Sequence, residues 1–260
     1  MPDPLATLQD HLGFFLLVFT RISGIFTAAP VFGSRNIPVM AKVGLVLSVS
    51  ALIMPVVFSA KVNIPSNLLQ YIAAVISEYL LGLVYGFASW LIFSAVQMAG
   101  ALLDTQIGFG IVNVVDPQYG QQIPLIGNFQ YLLSLVLFLA INGHHVLLAG
   151  ICTSFKTLPV ASVFFPQSIV PFFVNLLTGV FSVAVQIAMP VLAALFMTDV
   201  ALGILARVMP QLNIFVVGLP VKIVVGLVIL MFAVPVFSYF MEVGFHAMFK
   251  ELVRLLALFQ

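Results

Sequence analysis

Long apolar blocks that carry very few charges make up most of this chain. They cover residues 12–32, 43–60, 68–103, 123–141, 146–165, 170–197 and 214–249. A helix that crosses a membrane needs about 20 predominantly apolar residues, so hydropathy alone indicates about six spans. The blocks are also far longer than the roughly 10-residue alternating segments of outer-membrane barrels. The pattern therefore predicts an all-α integral membrane protein.

Prolines complicate this simple count of spans. Block 68–103 is too long for one span and is expected to form a bent helix or a hairpin, and block 214–249 contains Pro220 and Pro235. Ten further prolines cut or flank the blocks: Pro30, Pro38, Pro55, Pro65, Pro124, Pro159, Pro166, Pro171, Pro190 and Pro210. A proline inside a helix removes an amide donor and clashes with the preceding turn. The sequence therefore predicts broken hydrophobic helices and helical hairpins, whose freed carbonyl groups need neighbouring helices.

The segment 97–122 differs from the apolar sequence around it. It holds two acids, four glycines and five glutamines, and the sequence Gly-Phe-Gly lies at its centre. Non-helical backbone at membrane depth is tolerated only where it is buried in protein or lines a water-filled cavity. The segment is therefore predicted to form a loop that lines or blocks a passage.

The composition supports the membrane assignment and excludes nucleic acid as a partner. The chain is 63% hydrophobic and 7% charged, with a net charge of +1, whereas an average soluble domain carries about 25% charged residues. A surface so poor in charge would not stay in solution, so membrane lipid is an expected neighbour. Nine lysines and arginines, scattered along the chain, are too few to follow a phosphate backbone.

No motif in the chain indicates catalysis, a cofactor or a metal. The pair His144-His145 has no further ligands close by in sequence, and neighbouring helical residues do not share a face. Metalloprotease, nucleophile-elbow and Walker motifs do not occur. An intramembrane enzyme is the weakest hypothesis, because the sequence shows no paired nucleophile and base.

Charged residues inside the apolar blocks are better functional candidates than the histidines. A charge at the centre of a membrane helix costs about 2.5–3.5 kcal/mol on insertion scales. Such charges either form salt bridges between subunits or line a pore. The candidates are Glu78, Asp104, Asp199, Arg207 and Lys222.

Five segments, in order along the chain, together resemble the FliR family. This family is the T-type export-gate subunit of flagellar and virulence type III secretion. The segments are RISGIFTAAPVFGSRNIP (21–38), QMAGALLDTQIGFGIVNVVDP (97–117), NGHH (142–145), SFKTLP (154–159) and ALGILARVMPQLNIFVVGLPVK (201–222). The wording FGSRNIP and PQLNIF favours the flagellar branch over the injectisome branch.

The resemblance implies a subunit of a larger assembly. Members of the family pack with several copies of FliP and FliQ in a helical hetero-oligomer, with FlhB and FlhA nearby. The assembly lies in the inner-membrane part of the bacterial flagellar basal body. The resemblance further implies a FliP-like part at residues 1–168 and a FliQ-like hairpin at 169–260, which turns around Pro210–Pro220.

The family's gate loop falls on residues 106–122 and is expected to plug the channel at rest. By resemblance, the plug comprises Gln106, Ile107, Gly108, Phe109, Gly110, Ile111, Val112 and Asn113, and the loop ends are Asp104, Asp116 and Pro117. Gly108 and Gly110 permit backbone that other residues adopt only at a cost. The apolar side chains could close a pore by dewetting. Lys222 resembles the Pro-Lys of the FliQ turn, although Val221 intervenes.

The leading hypothesis is a non-enzymatic structural and gating subunit of the flagellar export channel for unfolded substrates. The alternative is a small-solute or ion transporter that acts alone, since intramembrane acids such as Asp104 and Glu78 and broken helices also fit that class. The two differ in assembly. A transporter should purify as a stable monomer or symmetric oligomer, whereas an export-gate subunit should be unstable without FliP and FliQ.

Overall fold

The protein is all-helical in the part of the chain that the structure describes. The computed structural model describes residues 4–34, 36–57, 65, 67–110, 124–211 and 213–259. Within these ranges there are no strands, and the helices are α1 (Pro4–Ala28), α2 (Val39–Val57), α3 (Leu68–Ile107), α4 (Leu125–Ala140), α5 (Gly143–Thr157), α6 (Ile169–Val208) and α7 (Ile214–Leu258). The all-α prediction is confirmed.

The helices also confirm the membrane prediction. Among the described residues, five helices are long and apolar enough to cross a membrane, and the number rises to six if α4 and α5 together make one broken span. The sequence had indicated about six. The helices α3 and α6 have 40 residues each and α7 has 45, or about 60 Å and more at a rise of 1.5 Å per residue. Each therefore exceeds the roughly 30 Å hydrocarbon core of a bilayer.

The helix bounds bear on two expectations about breaks in the helices. Block 68–103 is one continuous helix, α3, and not a hairpin, because no proline interrupts it. The break between α6, which ends at Val208, and α7, which begins at Ile214, includes Pro210 and so overlaps the start of the turn predicted around Pro210–Pro220. Pro220 lies inside α7, as does Pro235. Prolines are tolerated in apolar helices where neighbouring groups satisfy the freed carbonyls, so hydropathy and proline content do not locate a turn.

The chain divides into two compact units. The first unit comprises Met1–Leu91, Asn142–Leu176 and His246–Gln260, and the second comprises Ile92–Ile141 and Leu177–Phe245. The long helices α3, α6 and α7 each contribute to both units. The resemblance implies a different division, into a FliP-like part at residues 1–168 and a FliQ-like part at 169–260. That division stays a prediction.

In the first unit, glycines let α1 and α3 approach closely. A Cβ atom added at Gly82 would collide with the carbonyl oxygen of Arg21, and one added at Gly24 would collide with that of Tyr79. A Cβ atom at Gly86 would lie 2.7 Å from the carbonyl oxygen of Ile25. The Gly82-x-x-x-Gly86 spacing therefore serves a helix contact inside this chain, of the kind that small residues allow in membranes.

The second unit has an aromatic core. The ring centroids of Phe93, Phe138 and Phe245 lie 5.2–5.5 Å apart, within the range of favourable edge-to-face and tilted ring contacts. All three side chains are fully buried. This cluster joins the second half of α3 to α4 and α7.

Candidate functional site

The sequence predicts a loop over residues 97–122, but α3 continues through this segment as far as Ile107, so the predicted gate-loop residues Gln106 and Ile107 lie in the last turn of the helix. The helix stops at Ile107, and Gly108 has a positive φ of 105°, a region that favours glycine. Gly110 has no such φ, so the expectation of unusual backbone holds for Gly108 and not for Gly110. The remaining loop residues of the prediction, Ile111, Val112, Asn113, Asp116 and Pro117, lie outside the described residues.

The side chain of Asp104, near the end of α3, forms hydrogen bonds with the start of α4. Its carboxylate accepts hydrogen bonds from the backbone amides of Ile126, at 3.0 Å, and Gly127, at 3.1 Å. These amides lie in the first turn of α4, where no earlier carbonyl is available, and the residue before the helix, Pro124, offers no side-chain cap. A carboxylate is also favoured there by the helix dipole. Asp104 therefore lies in the last turn of α3, and its carboxylate caps another helix; its role as a loop end stays a prediction.

A close backbone approach supports this cap. A Cβ atom added at Gly100 would collide with the backbone of Gly127. The two helices thus touch one turn before Asp104, and the short aspartate side chain reaches the amides of α4 directly. Asp104 is only 5% exposed, so little water competes for its carboxylate.

The end of α3 also packs against α7. Ile107 is fully buried, and a Cβ atom added at Gly226 would lie 2.7 Å from its Cγ1 atom. A Cβ atom added at Gly108 would lie 2.5 Å from Cδ1 of Leu219. Leu219 and Gly226 are seven residues apart and so share one face of α7. Ile107 therefore anchors the base of the loop, whereas Gln106 is exposed and Phe109 is half-buried.

Asp199 and Lys222 form an ion pair between α6 and α7. Lys222 Nζ lies 2.7 Å from Asp199 Oδ1, and the side chains are 21% and 45% exposed, respectively. Lys222 lies three residues after Leu219 and four before Gly226, so it is close to the α7 face that contacts the end of α3. Both charges thus have a partner inside this chain. Arg207 is exposed and makes no ion pair with the residues that the structure describes.

Glu78 lies in the first unit and is paired with Arg21. The guanidinium donates to both carboxylate oxygens, from Nε at 2.5 Å and from Nη2 at 3.0 Å, and both side chains are fully buried. The amide of Ala161 also donates to Glu78, at 2.9 Å. Glu78 therefore finds its partners within this chain, and not in a pore or a neighbouring subunit as the sequence suggested.

Arg21 is a structural residue that sequence reasoning did not select. Its Nη1 donates to the carbonyl oxygens of Ser154, at 3.1 Å, and Leu158, at 3.0 Å, which lie at the end of α5. The guanidinium also lies 4.3 Å from the ring centroid of Phe155, a cation–π distance. A signal was available, because Arg21 is the single charge in block 12–32 and an isolated buried charge needs a counter-charge.

The sequence of this chain is similar to those of known bacterial export proteins. Residues 12–248 match the family model "Bacterial export proteins, family 1". The flagellar biosynthetic protein FliR of Bacillus subtilis (strain 168) is 39% identical over 258 residues, which cover 97% of this chain and 98% of that protein.

More distant relatives carry the same name. FliR of Escherichia coli (strain K12) is 30% identical over 256 residues, which cover 96% of this chain and 95% of that protein. FliR of Aquifex aeolicus (strain VF5) is 29% identical over 246 residues, with 94% of each chain covered. Because the matches extend over nearly the whole chain in each case, the protein belongs to family 1 of the bacterial export proteins, the family of the flagellar biosynthetic proteins FliR.

Proposed function

We propose that this protein is a structural and gating subunit of the flagellar protein-export gate in the bacterial inner membrane, at the basal body. Membership of the export family and the names of its relatives support a flagellar export component. The five long apolar helices support a membrane location. No enzymatic step, cofactor or metal is part of the proposal.

The gating role rests on one observation, the anchored base of segment 106–122. Asp104 ties the end of α3 to α4, and Ile107 ties it to α7. The chain leaves this base through Gly108, which has a positive φ, and reaches the half-buried Phe109. A segment held at its base and apolar beyond it is suited to close a channel by dewetting. In this proposal Phe109, Ile111 and Val112 form the stopper and Ile107 anchors it.

The proposed partners are FliP and FliQ in one complex, with FlhB and FlhA nearby and unfolded export substrates passing through. Large apolar side chains on α6 and α7 are exposed in the isolated chain and suit contacts with other helices or lipid. They include Phe181, Phe196, Met197, Phe232 and Tyr239, which are 57–68% exposed. The FliP-like part at residues 1–168 and the FliQ-like hairpin at 169–260 belong to the same proposal.

Deletion of residues 108–112 tests the plug. The variant is co-expressed with FliP and FliQ, the intact complex is quantified by mass measurement, and the ion leak is measured per assembled complex. We expect a higher leak than in the wild type at an equal amount of complex. An unchanged leak together with normal export would contradict the plug assignment.

The alternative of a stand-alone transporter is less well supported by the structure. Its two key acids, Glu78 and Asp104, are both buried and hydrogen-bonded inside the chain. Purification separates the two functions. A transporter gives a stable monomer or symmetric oligomer when expressed alone, whereas the proposed gate subunit is stable only with FliP and FliQ.

A further inference from the structure

A small cavity lies between α4, α6 and α7 in the second unit. The described residues that line it are apolar except for Gln130 of α4. The space open to the centre of a water molecule is about 10 Å³, which is room for about one water. The cavity therefore suits one very small molecule.

Gln130 carries an acceptor atom that the described chain does not satisfy. The residue is 4% exposed, and its Oε1 atom has no hydrogen-bond partner among the described residues. A buried polar atom without a partner costs free energy, and most such atoms in folded proteins are bonded to protein or to ordered water. A hydrogen-bond donor is therefore expected at this cavity.

Pro190 provides a second acceptor beside the same cavity. It lies inside α6 and lines the cavity. Proline has no amide hydrogen, so the carbonyl of Gln186, four residues earlier, loses its usual helical donor. Ile187, the residue after Gln186, also lines the cavity. Two acceptors that need a donor thus lie on the wall of the cavity or next to it.

We propose that the cavity binds one water molecule, which donates to Gln130 Oε1 and to the backbone carbonyl of Gln186. A bridge between two acceptors needs two donors, and water supplies both without a charge. A lipid hydroxyl group supplies one donor only, and an ammonium group brings a charge into apolar surroundings at a high cost. The water replaces the hydrogen bond that Pro190 removes and joins α4 to α6 at this level. This inference is independent of the plug function.

Two measurements on the complex with FliP and FliQ test the water site. The first is a density map of the wild-type complex at a resolution that shows ordered water. We expect a water peak within hydrogen-bond distance of Gln130 Oε1. The second is the thermal unfolding temperature of Gln130→Met, which nearly keeps the length of the side chain and removes the acceptor.

Gln186→Met is the matched control. The Gln186 side chain is exposed and donates to Ser182 of its own helix. Its replacement leaves the backbone carbonyl in place, so the water should stay bound. We expect the unfolding temperature of this variant to match that of the wild type.

The sign of the temperature shift in Gln130→Met distinguishes a hydrated cavity from a dry one. With water bound, the substitution deprives the water of one acceptor, and the unfolding temperature falls by a few degrees. In a dry cavity, methionine removes an unpaired polar atom, and the temperature stays the same or rises. In the Pro190→Ala background the Gln186 carbonyl regains a helical donor, so we expect the fall caused by Gln130→Met to be smaller.

Three results would overturn the inference. The first is an unfolding temperature of Gln130→Met at or above that of the wild type. The second is an equal fall with and without Pro190→Ala, which would exclude the Gln186 carbonyl. The third is a map in which a lipid group or a side chain of a neighbouring subunit donates to Gln130. The wild-type map decides between water and these donors even if Gln130→Met does not assemble.

Discussion

The side chain of Ile107 occupies the space that Gly226 leaves open on α7. A Cβ atom at position 226 would lie 2.7 Å from Cγ1 and 3.0 Å from Cδ1 of Ile107. Ile107 is fully buried, and a β-branched side chain has little rotamer freedom with which to move aside. The last residue of α3 therefore packs tightly against one position on α7, Gly226.

Gly226→Ala should disturb this contact. The added methyl group must displace Ile107, and overpacking of this kind costs about 1–3 kcal/mol. We expect a lower thermal unfolding temperature of the complex and a higher ion leak. The double variant Gly226→Ala with Ile107→Val should recover part of both.

Gly203→Ala provides the matched control for Gly226→Ala. Gly203 lies on α6 of the same unit, and a Cβ atom added there meets nothing within 4 Å. Alanine is favoured over glycine in a helix by about 1 kcal/mol, so this variant should be neutral or slightly stabilising. Equal unfolding temperatures for Gly226→Ala and Gly203→Ala would show that the packing of Ile107 against Gly226 is not tight.

Gly108 and Gly110 should respond differently to alanine. Gly108 has a φ of 105° and lies against Leu219, whereas Gly110 has an ordinary φ and its nearest atom is Thr105 Cα at 3.9 Å. Strained backbone of this type costs about 1–3 kcal/mol. We expect Gly108→Ala to weaken assembly or raise the leak, and Gly110→Ala to behave like the wild type. Similar defects in both variants would contradict this prediction, because they would show that the positive φ of Gly108 is not the cause of the defect.

The sequence predicted the fold class for a simple physical reason, whereas the loop predicted over residues 97–122 is helical as far as Ile107. Apolar length determines membrane helices. The sequence could not show where α3 ends, because this helix continues through Gly82, Gly86 and Gly100 and ends beside Gly108. It could not show that α7 continues through Pro220, because whether a proline ends a helix depends on its neighbours. The Asp104 cap was also invisible, since nothing in the local sequence tells which distant amides a carboxylate will reach.

Glu78 shows the same limit for charges. The sequence marked it as an unusual acid in an apolar helix, but its partner Arg21 is 57 residues away. Pairing across such a distance depends on how α1 packs on α3. A buried acid in an apolar helix looks the same in sequence whether its partner is in a pore, in another subunit or, as for Glu78, elsewhere in its own chain.

Removal of one member of the Arg21–Glu78 pair should be strongly destabilising. Glu78→Gln leaves the buried guanidinium without its counter-charge, and breaking such a pair costs about 3–5 kcal/mol. The measurement is the thermal unfolding temperature of the complex. Replacement of both residues, Arg21→Met with Glu78→Leu, should be less damaging than Glu78→Gln alone, because no unpaired charge remains.

A control for this pair lies near the end of α7. Glu251 is 3.7 Å from Arg254, and these side chains are 36% and 72% exposed. Exposed pairs contribute about 0–1 kcal/mol, so Glu251→Gln should change the unfolding temperature little. If Glu78→Gln has an equally small effect, the buried pair does not stabilise the first unit.

Exchanging the charges of Asp199 and Lys222 tests whether these two side chains interact only with each other. Asp199→Lys places two cations on facing helices and should reduce the amount of complex. The double variant Asp199→Lys with Lys222→Asp restores opposite charges across the 2.7 Å contact and should recover assembly. Failure of the double variant to recover would show that another chain recognises the sign of at least one charge.

The contacts of Arg21 impose an order on the biosynthesis of this chain. Chains are synthesised from the N-terminus, so Arg21 appears 57 residues before Glu78 and 137 residues before the Leu158 carbonyl that also binds it. In the interval α1 carries an unmatched arginine, which costs about 2.5–3.5 kcal/mol at the centre of a membrane helix. The hydrogen bonds of Arg21 are therefore completed late, when the end of α5 emerges, and a nascent chain that stalls before Leu158 holds a cation that still lacks some of its acceptors.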